Sequence, residues 1–301
     1  MSVSVVIPTL NAERWLDKQL SCLLSQTVDA EIIVIDSGST DATSQISARY
    51  APHVRLLEIP NEDFDHGRTR DYGLRQSGGD FVLFLTQDAL PTDAHYIEKL
   101  LEPLSNERVA GVFGRQIAWE DAPAFERLTR LFNYPETGRV WSEADIPRYG
   151  VKSYFFSNSC SAIRRSAYEA VGGFDAPIIT NEDMMLAAKL LHAGWSLAYA
   201  PEAAVWHSHV YTLPQVYKRN VQIGRVMEQY RERLTRAEPT GEGLRMVRFV
   251  CGELLCAGKF GQIPAFLMRA AVRFMGYRAG KRLESNTKLN LKTHQKSIVC
   301  K

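Results

Sequence analysis

Val3-Ser4-Val5-Val6-Ile7-Pro8-Thr9-Leu10-Asn11 is the stretch on which the fold turns. Its first six residues form a β-branched run stopped by proline, the pattern of a strand buried on both faces, and predict the first, central strand of a sheet. Working outward, Trp15, Leu16, Leu20, Leu23 and Leu24 fall at helical spacing, with Thr9 or Asn11 available as a cap. A second strand is expected from Glu31 to Ile35, ending at Asp36, and a helix from Ala42 to Tyr50. The turn between them, Asp36-Ser37-Gly38-Ser39-Thr40-Asp41, is rich in capping residues. Val54 to Ile59 and Phe81 to Thr86 read as the third and fourth strands, the latter entered through Gly78-Gly79 and ending in Gln87-Asp88. The alternation predicts an α/β fold, Rossmann-like, with a mostly parallel central sheet flanked by helices. In such sheets ligands sit beyond the carboxyl ends of the strands, where Asp36 and Asp88 both fall.

Two acidic clusters stand out downstream, Thr86-Gln87-Asp88 and Asn181-Glu182-Asp183. Together they suggest a metal-held leaving group and a separate base. At 301 residues, 45% hydrophobic and 23% charged, the chain has the composition of an ordinary globular protein with ample core. No secretory signal and no bilayer-spanning run is read, which with the scattered Cys22, Cys160, Cys251, Cys256 and Cys300 predicts reduced thiols in the cytoplasm. The net charge of +2 hides an asymmetry. Residues 215–301 carry 18 Lys and Arg against 6 Glu, leaving 18 against 28 acids in the rest. Helical patterns run from Leu213 to Leu234, Leu244 to Ala257 and Pro264 to Tyr277. These basic amphipathic segments suit an anionic membrane surface, at the inner face of the plasma membrane, and suit equally a helical subdomain packed on the body. They are also suited to a homodimer interface. No nucleic-acid motif accompanies the charge, so no nucleic-acid partner is expected.

The ordered set Val5-Val6-Ile7-Pro8-Thr9-Leu10-Asn11, Ile35-Asp36-Ser37-Gly38-Ser39-Thr40-Asp41, the acidic strand end and the later Glu-Asp pair resembles the family 2 inverting glycosyltransferases over roughly residues 1–210. The resemblance implies the GT-A fold with a C-terminal helical extension. It divides the chain into a nucleotide-sugar-binding half, 1–105, an acceptor-binding half with the catalytic base, 106–212, and a basic helical region, 213–301. Phe64-Asp65-His66-Gly67-Arg68-Thr69-Arg70-Asp71-Tyr72-Gly73, with Thr86-Gln87-Asp88-Ala89 and His207-Ser208-His209, is similar to the rhamnosyltransferase-like branch, which uses dTDP-β-L-rhamnose. The expected donor is therefore a dTDP-sugar, with a UDP-sugar as the alternative. A glycan or polyprenyl-linked glycan of a cell-surface polysaccharide is the expected acceptor.

Roles follow for the matched positions. Asp36 can accept from the imide N–H of thymine or uracil, and Pro8, Thr9, Asn11, Glu13, Ser37 and Gln87 surround the same strand ends as nucleotide contacts. Thr9 and Asn11 serve as helix caps in the competing reading, and Asp41 reads as a turn or cap residue. Arg70 fits the diphosphate by bidentate geometry, while His66 and Gly67 are read as loop-shaping, with Gly67 allowing backbone close to the donor. Asp88 is the expected ligand of a divalent cation, Mg²⁺ or Mn²⁺, with His207 and His209 as candidates to complete the shell. Asp183 is the expected general base and Glu182 an orienting neighbour, a cap for the following helix being the alternative. The acceptor side is nearly silent: Trp119, Tyr154 and Asn158 are its candidates. A sugar-nucleotide pyrophosphorylase is disfavoured by the lack of a glycine-rich phosphate loop after the first strand. A catalytically silent nucleotide-sugar binder is disfavoured by the presence of both Asp88 and Asp183.

Overall fold

The computed structural model describes residues 2–234 and 241–299, with side chains through residue 287 in the last helix. The first strand, β1 (Val3–Thr9), is buried along its whole length and lies between two parallel neighbours. Helix α1 (Leu16–Leu24) leads to β2 (Glu31–Asp36), and α2 (Thr43–Arg49) leads to β3 (Val54–Glu58). Helix α3 (His66–Gln76) then precedes β4 (Phe81–Leu85). Along β1 the side chains alternate as a pleated strand requires. Val5 and Ile7 join Leu16, Leu20 and Leu100 on one face, whereas Val6 joins Ile35, Phe84 and Leu190 on the other.

The chain continues through β5 (Leu90–Pro91), α4 (Tyr96–Leu101), β6 (Val109–Ile117), α5 (Ala124–Asn133), β7 (Arg139–Trp141) and α6 (Ile146–Tyr149). It completes the sheet with β8 (Cys160–Arg164), α7 (Arg165–Ala170), α8 (Glu182–His192) and β9 (Ser196–Trp206). The strand order is β3-β2-β1-β4-β8-β6-β9-β5, with β7 also on β9. Only β3-β2-β1-β4 and the β6–β9 pair are parallel; β8 is antiparallel to both neighbours, and β5 and β7 to β9. The sheet is thus mixed where the sequence pattern predicts a mostly parallel one. The reversal has a use, since Cys160 pairs with Leu85 and so the start of β8 meets the end of β4. Ser157 and Asn158 are thereby delivered to the edge where the parallel strands finish. Ile117 and Trp206 pair at the same edge, which brings Gln116 and His207 there as well.

Helix α3 is the main difference from the sequence reading, which treats His66 and Gly67 as loop. Asp65 caps it, its Oδ1 accepting from the Gly67 and Arg68 amides at 3.1 and 2.9 Å. Its buried face is made of Gly67, Thr69, Arg70, Gly73 and Leu74 and so lacks the apolar stripe that would reveal it. A Cβ on Gly73 would stand 2.4 Å from Val6 Cγ1 and one on Gly67 2.3 Å from the Asp175 carbonyl oxygen. The close approach at Gly67 is therefore to this chain's own backbone. Thr9 and Asn11 do not cap α1, whose first turn has no side-chain cap.

Three further helices follow, α9 (Leu213–Gln229), α10 (Glu242–Cys256) and α11 (Gln262–Val299). They pack on the body: Val250 and Leu254 of α10 and Phe266 of α11 form a cluster with Ala124 and Phe125 of α5. The opposite face of α11 leaves Leu267, Met268, Phe274 and Met275 exposed, Phe274 by 63%. Among the described residues no helix is long and apolar enough to cross a membrane. Cys22, Cys160, Cys251 and Cys256 are free thiols; Cys300 lies outside the described residues.

Candidate active site

A cavity of about 550 Å³ opens at the carboxyl edge of the sheet. Asp88, His207, His209, Glu182, Asp183, Arg70 and Asn158 line it together. At its threshold the Asp88 carboxylate meets His207 Nε2 at 3.4 Å and His209 Nε2 at 3.0 Å. One ligand atom from each of these three residues lies within 4.8 Å of the others. Burial pushes the Asp88 pKa up, but hydrogen bonds from the two imidazoles outweigh it and hold the group well below the usual carboxylate range. His207 Nδ1 lies 2.8 Å from Gln116 Oε1, an oxygen to which Arg130 also donates. The acceptor oxygen fixes a proton on Nδ1, so that loss of the Nε2 proton shared with Asp88 would free that nitrogen's lone pair for a metal ion. One carboxylate oxygen and two imidazole nitrogens suit Mn²⁺ better than Mg²⁺, and would leave coordination positions for phosphate oxygens and water.

The second acidic cluster sits at the start of α8. Asn181 adopts a left-handed conformation (φ 59°) and its side chain makes no cap bond, which turns the chain sharply into the helix. Glu182 is buried and pairs with Arg70 Nη1 at 3.3 Å; Asn158 Nδ2 donates to the same Oε1 at 3.2 Å. Asp183 is held through both oxygens, Oδ2 accepting from the Asn158 amide at 3.2 Å and Oδ1 from the Met184 amide at 2.7 Å. Burial raises the Glu182 pKa, but the Arg70 guanidinium outweighs it and the group is held below its ordinary value. Burial and the neighbouring Glu182 charge push Asp183 up to about 7. Asp65 ties this arrangement together, since its Oδ2 accepts from the Ile178 amide at 2.7 Å while its Oδ1 caps the helix carrying Arg70.

The other nucleotide candidates do not line this cavity. Pro8 is buried in β1. Thr9 Oγ1 and the Ser39 amide donate to the Asp36 carboxylate at 3.2 and 3.0 Å, joined by the Ser39 and Ser44 hydroxyls. Asp36, 2% exposed, has its four acceptor sites occupied in this arrangement. Ser37 donates to the Thr9 carbonyl at 2.8 Å, Asn11 accepts from the Thr40 amide at 2.9 Å, and Glu13 accepts from the Ala42 amide at 3.1 Å. Gln87 spends both ends of its amide on the backbone of Leu10. Asp41 holds the Thr43 amide at 3.0 Å and the Glu13 amide at 3.1 Å, the turn role the sequence assigns it.

Of the acceptor candidates, Tyr154 is fully buried and bonded to His192, which takes it out of contact with any ligand. Asn158 braces the Glu182–Asp183 pair instead. Trp119 stacks between Trp15 and Trp206, at ring separations of 5.2 and 6.0 Å, and lines a neighbouring cavity of about 510 Å³ with Arg14, Asp88 and His209. The sequence reading missed Gln116, Glu126, Arg130, Arg219 and Arg273 on the main cavity wall. The one signal for Gln116 was a polar residue near the end of an apolar strand.

Comparison with known proteins gives the family. The profile described as Glycosyl transferase family 2 matches residues 4–172. The chain belongs to glycosyltransferase family 2. The O-antigen chain rhamnosyltransferase RfbN of Salmonella typhimurium is 36% identical to it over 95% of this chain and 91% of that protein. For WbaN of Salmonella anatum, also an O-antigen chain rhamnosyltransferase, the figures are 37%, 94% and 90%. The mannosyltransferase PcManGT from Pyrobaculum calidifontis, solved with GDP-Man and Mn²⁺, superposes with a TM-score of 0.60 over 94% of this chain and 84% of that one, at 17% identity. The fold of this family 2 glycosyltransferase is accordingly GT-A, with a helical region appended at the C-terminus.

Proposed function

We propose that this glycosyltransferase transfers L-rhamnose from dTDP-β-L-rhamnose, with inversion, to a hydroxyl of a glycan or lipid-linked glycan during cell-surface polysaccharide synthesis. The observation that carries the reading is the convergence on one cavity of the Asp88-His207-His209 group and a carboxylate, Asp183, whose pKa is raised to about 7. The identity to O-antigen rhamnosyltransferases favours rhamnose over another donor sugar. A divalent cation bound at Asp88, His207 and His209 would supply electrostatic stabilisation of the diphosphate leaving group.

The chain's own residues do the rest. Asp183 takes the proton of the acceptor hydroxyl at its carboxylate oxygen, and a pKa near 7 matches that task at neutral pH. The Asn158 and Met184 backbone amides keep the carboxylate from rotating, and Glu182 holds the Asn158 side chain. Arg70 neutralises Glu182 and offers its buried Nε, which has no partner among the described residues, to the ligand. The nucleoside lies over the Thr9–Glu13 loop in residues 1–105, and its base reaches Asp36 by displacing the Ser39 and Ser44 hydroxyls. Residues 106–212 form the acceptor side, and the exposed apolar and basic face of α11 rests on the inner membrane surface.

The test is thermal stabilisation by dTDP, UDP and GDP with and without Mn²⁺, followed by transfer assays with the matching sugar donors. A metal-enhanced shift, larger for dTDP than for the others, is expected. A UDP preference would discard rhamnose and keep the family; no shift with any nucleotide would favour a silent scaffold.

A further inference from the structure

Four arginines and four carboxylates line the main cavity: Arg70, Arg130, Arg219 and Arg273 against Asp88, Glu126, Glu182 and Asp183. Two of the arginines are committed. Arg70 pairs with Glu182, and Arg130 with Glu126 at 3.2 Å and with Gln116. Arg273 of α11 is different: it is half-buried in the cavity wall and has neither a hydrogen bond nor an ion pair among the described residues. Burial lowers its pKa, Glu126 is the carboxylate that faces it, and Arg269, Arg130 and Arg219 surround it with like charge. An assembly of this kind is costly without an anion to share. With a divalent cation on Asp88 the wall would carry surplus positive charge, which a diphosphate would neutralise.

Arg219 of α9 reaches the same cavity from an exposed position, its guanidinium 5.7 Å from the Tyr211 ring centroid. Tyr211 in turn lies 5.2 Å from the ring of His209, and Arg269 donates to its carbonyl. The two cationic helices are therefore coupled to the segment that carries the candidate metal ligands. They are also fixed against each other by backbone contact. A Cβ on Gly276 would stand 2.6 Å from the Tyr217 carbonyl oxygen, one on Gly280 2.1 Å from that of Val221, and one on Gly224 2.2 Å from that of Tyr277. The seam brackets Arg219 and begins three residues after Arg273, so the two guanidiniums are mounted on a rigid pair rather than on a loop.

We propose that Arg219 and Arg273 form a diphosphate-binding subsite, so that the C-terminal helices, which lie beyond the residues matched to the family, complete the catalytic cavity. The inference rests on the glycosyltransferase reading of that cavity. The diphosphate has two sources of the same chemistry, the nucleotide of the donor and the lipid diphosphate of an acceptor. Calorimetric titration of the full chain in Mn²⁺ with inorganic pyrophosphate, dTDP and farnesyl diphosphate separates them, using wild type, Arg219→Ala, Arg273→Gln and Asp88→Ala. Each arginine variant is expected to weaken pyrophosphate binding by about tenfold to a hundredfold, the scale of a lost charge-assisted contact. A parallel fall for dTDP assigns the subsite to the donor; a fall for farnesyl diphosphate alone assigns it to the acceptor. Arg219 is exposed, so its variant keeps the fold even where Arg273→Gln disturbs the helix pair. Unchanged pyrophosphate affinity in Arg219→Ala and in a folded Arg273→Gln, with Asp88→Ala still losing dTDP, overturns the subsite and leaves the proposed function standing. A wild type that binds none of the three overturns both.

Discussion

Asp88 and Asp183 line one cavity, and their surroundings push them in opposite directions. Both pay a desolvation penalty, yet Asp88 accepts from two imidazoles and stays ionised, whereas Asp183 has a second carboxylate beside it in the chain and rises to about 7. The cation that should relieve Asp183, Arg70, is taken by Glu182. Neighbours rather than depth thus set the two carboxylates apart, and in the proposed mechanism one charge would hold a cation while the other would come and go with a proton.

The comparison breaks most visibly at Asp183. Asp183→Asn removes the proton acceptor while keeping the shape and one of the two amide contacts, and transfer should fall by about 10² to 10⁴ with little change in nucleotide affinity, measured by initial rates and calorimetry. An equal loss of affinity would place Asp183 in the binding site instead. At the other carboxylate, Gln116→Ala leaves Asp88 and both histidines present but releases the His207 ring. Mn²⁺ affinity should drop by about 10- to 100-fold, read by metal titration of the apoprotein.

The titration itself sharpens the contrast. With Asp183 as base, kcat/KM should rise with pH through about 7 and reach about a tenth of its plateau at about pH 6. Stability runs the other way. A folded-state pKa above the unfolded value gives a contribution that is full below the ordinary carboxylate pKa and is lost as pH rises through about 7. The melting temperature of Asp183→Asn should therefore gain on wild type above neutrality. The smallest effect belongs outside the cavity: Asp41→Ala frees the Thr43 and Glu13 amides and should cost about 1 kcal/mol in denaturant unfolding, with Mn²⁺ affinity unchanged.

The parallel strands and both acidic clusters were legible because they rest on local pattern: β-branched runs closed by proline or an acid, and carboxylates at strand and helix ends. The histidine pair was legible for the same reason, since β9 ends in an apolar run just before His207. Helix α3 was not, because Gly67 and Gly73 pack where apolar side chains would have announced it. Nor was the antiparallel course of β8, which depends on long-range pairing with β4 and β6. Of the arginine wall only Arg70 was singled out, since nothing in the spacing of Arg219 and Arg273 tells which faces of two helices meet. Glu13 and Gln87 show the reverse: motif positions whose side chains the fold uses on its own backbone.

Of the five tryptophans, Trp15, Trp119 and Trp206 share one stack, and the cavity that Trp15 and Trp119 line also reaches Asp88 and His209. The protein thereby carries its own optical gauge. A paramagnetic ion seated at Asp88 would darken the indole emission and a diamagnetic one would leave it bright, so the choice between Mn²⁺ and Mg²⁺ could be followed in unlabelled protein.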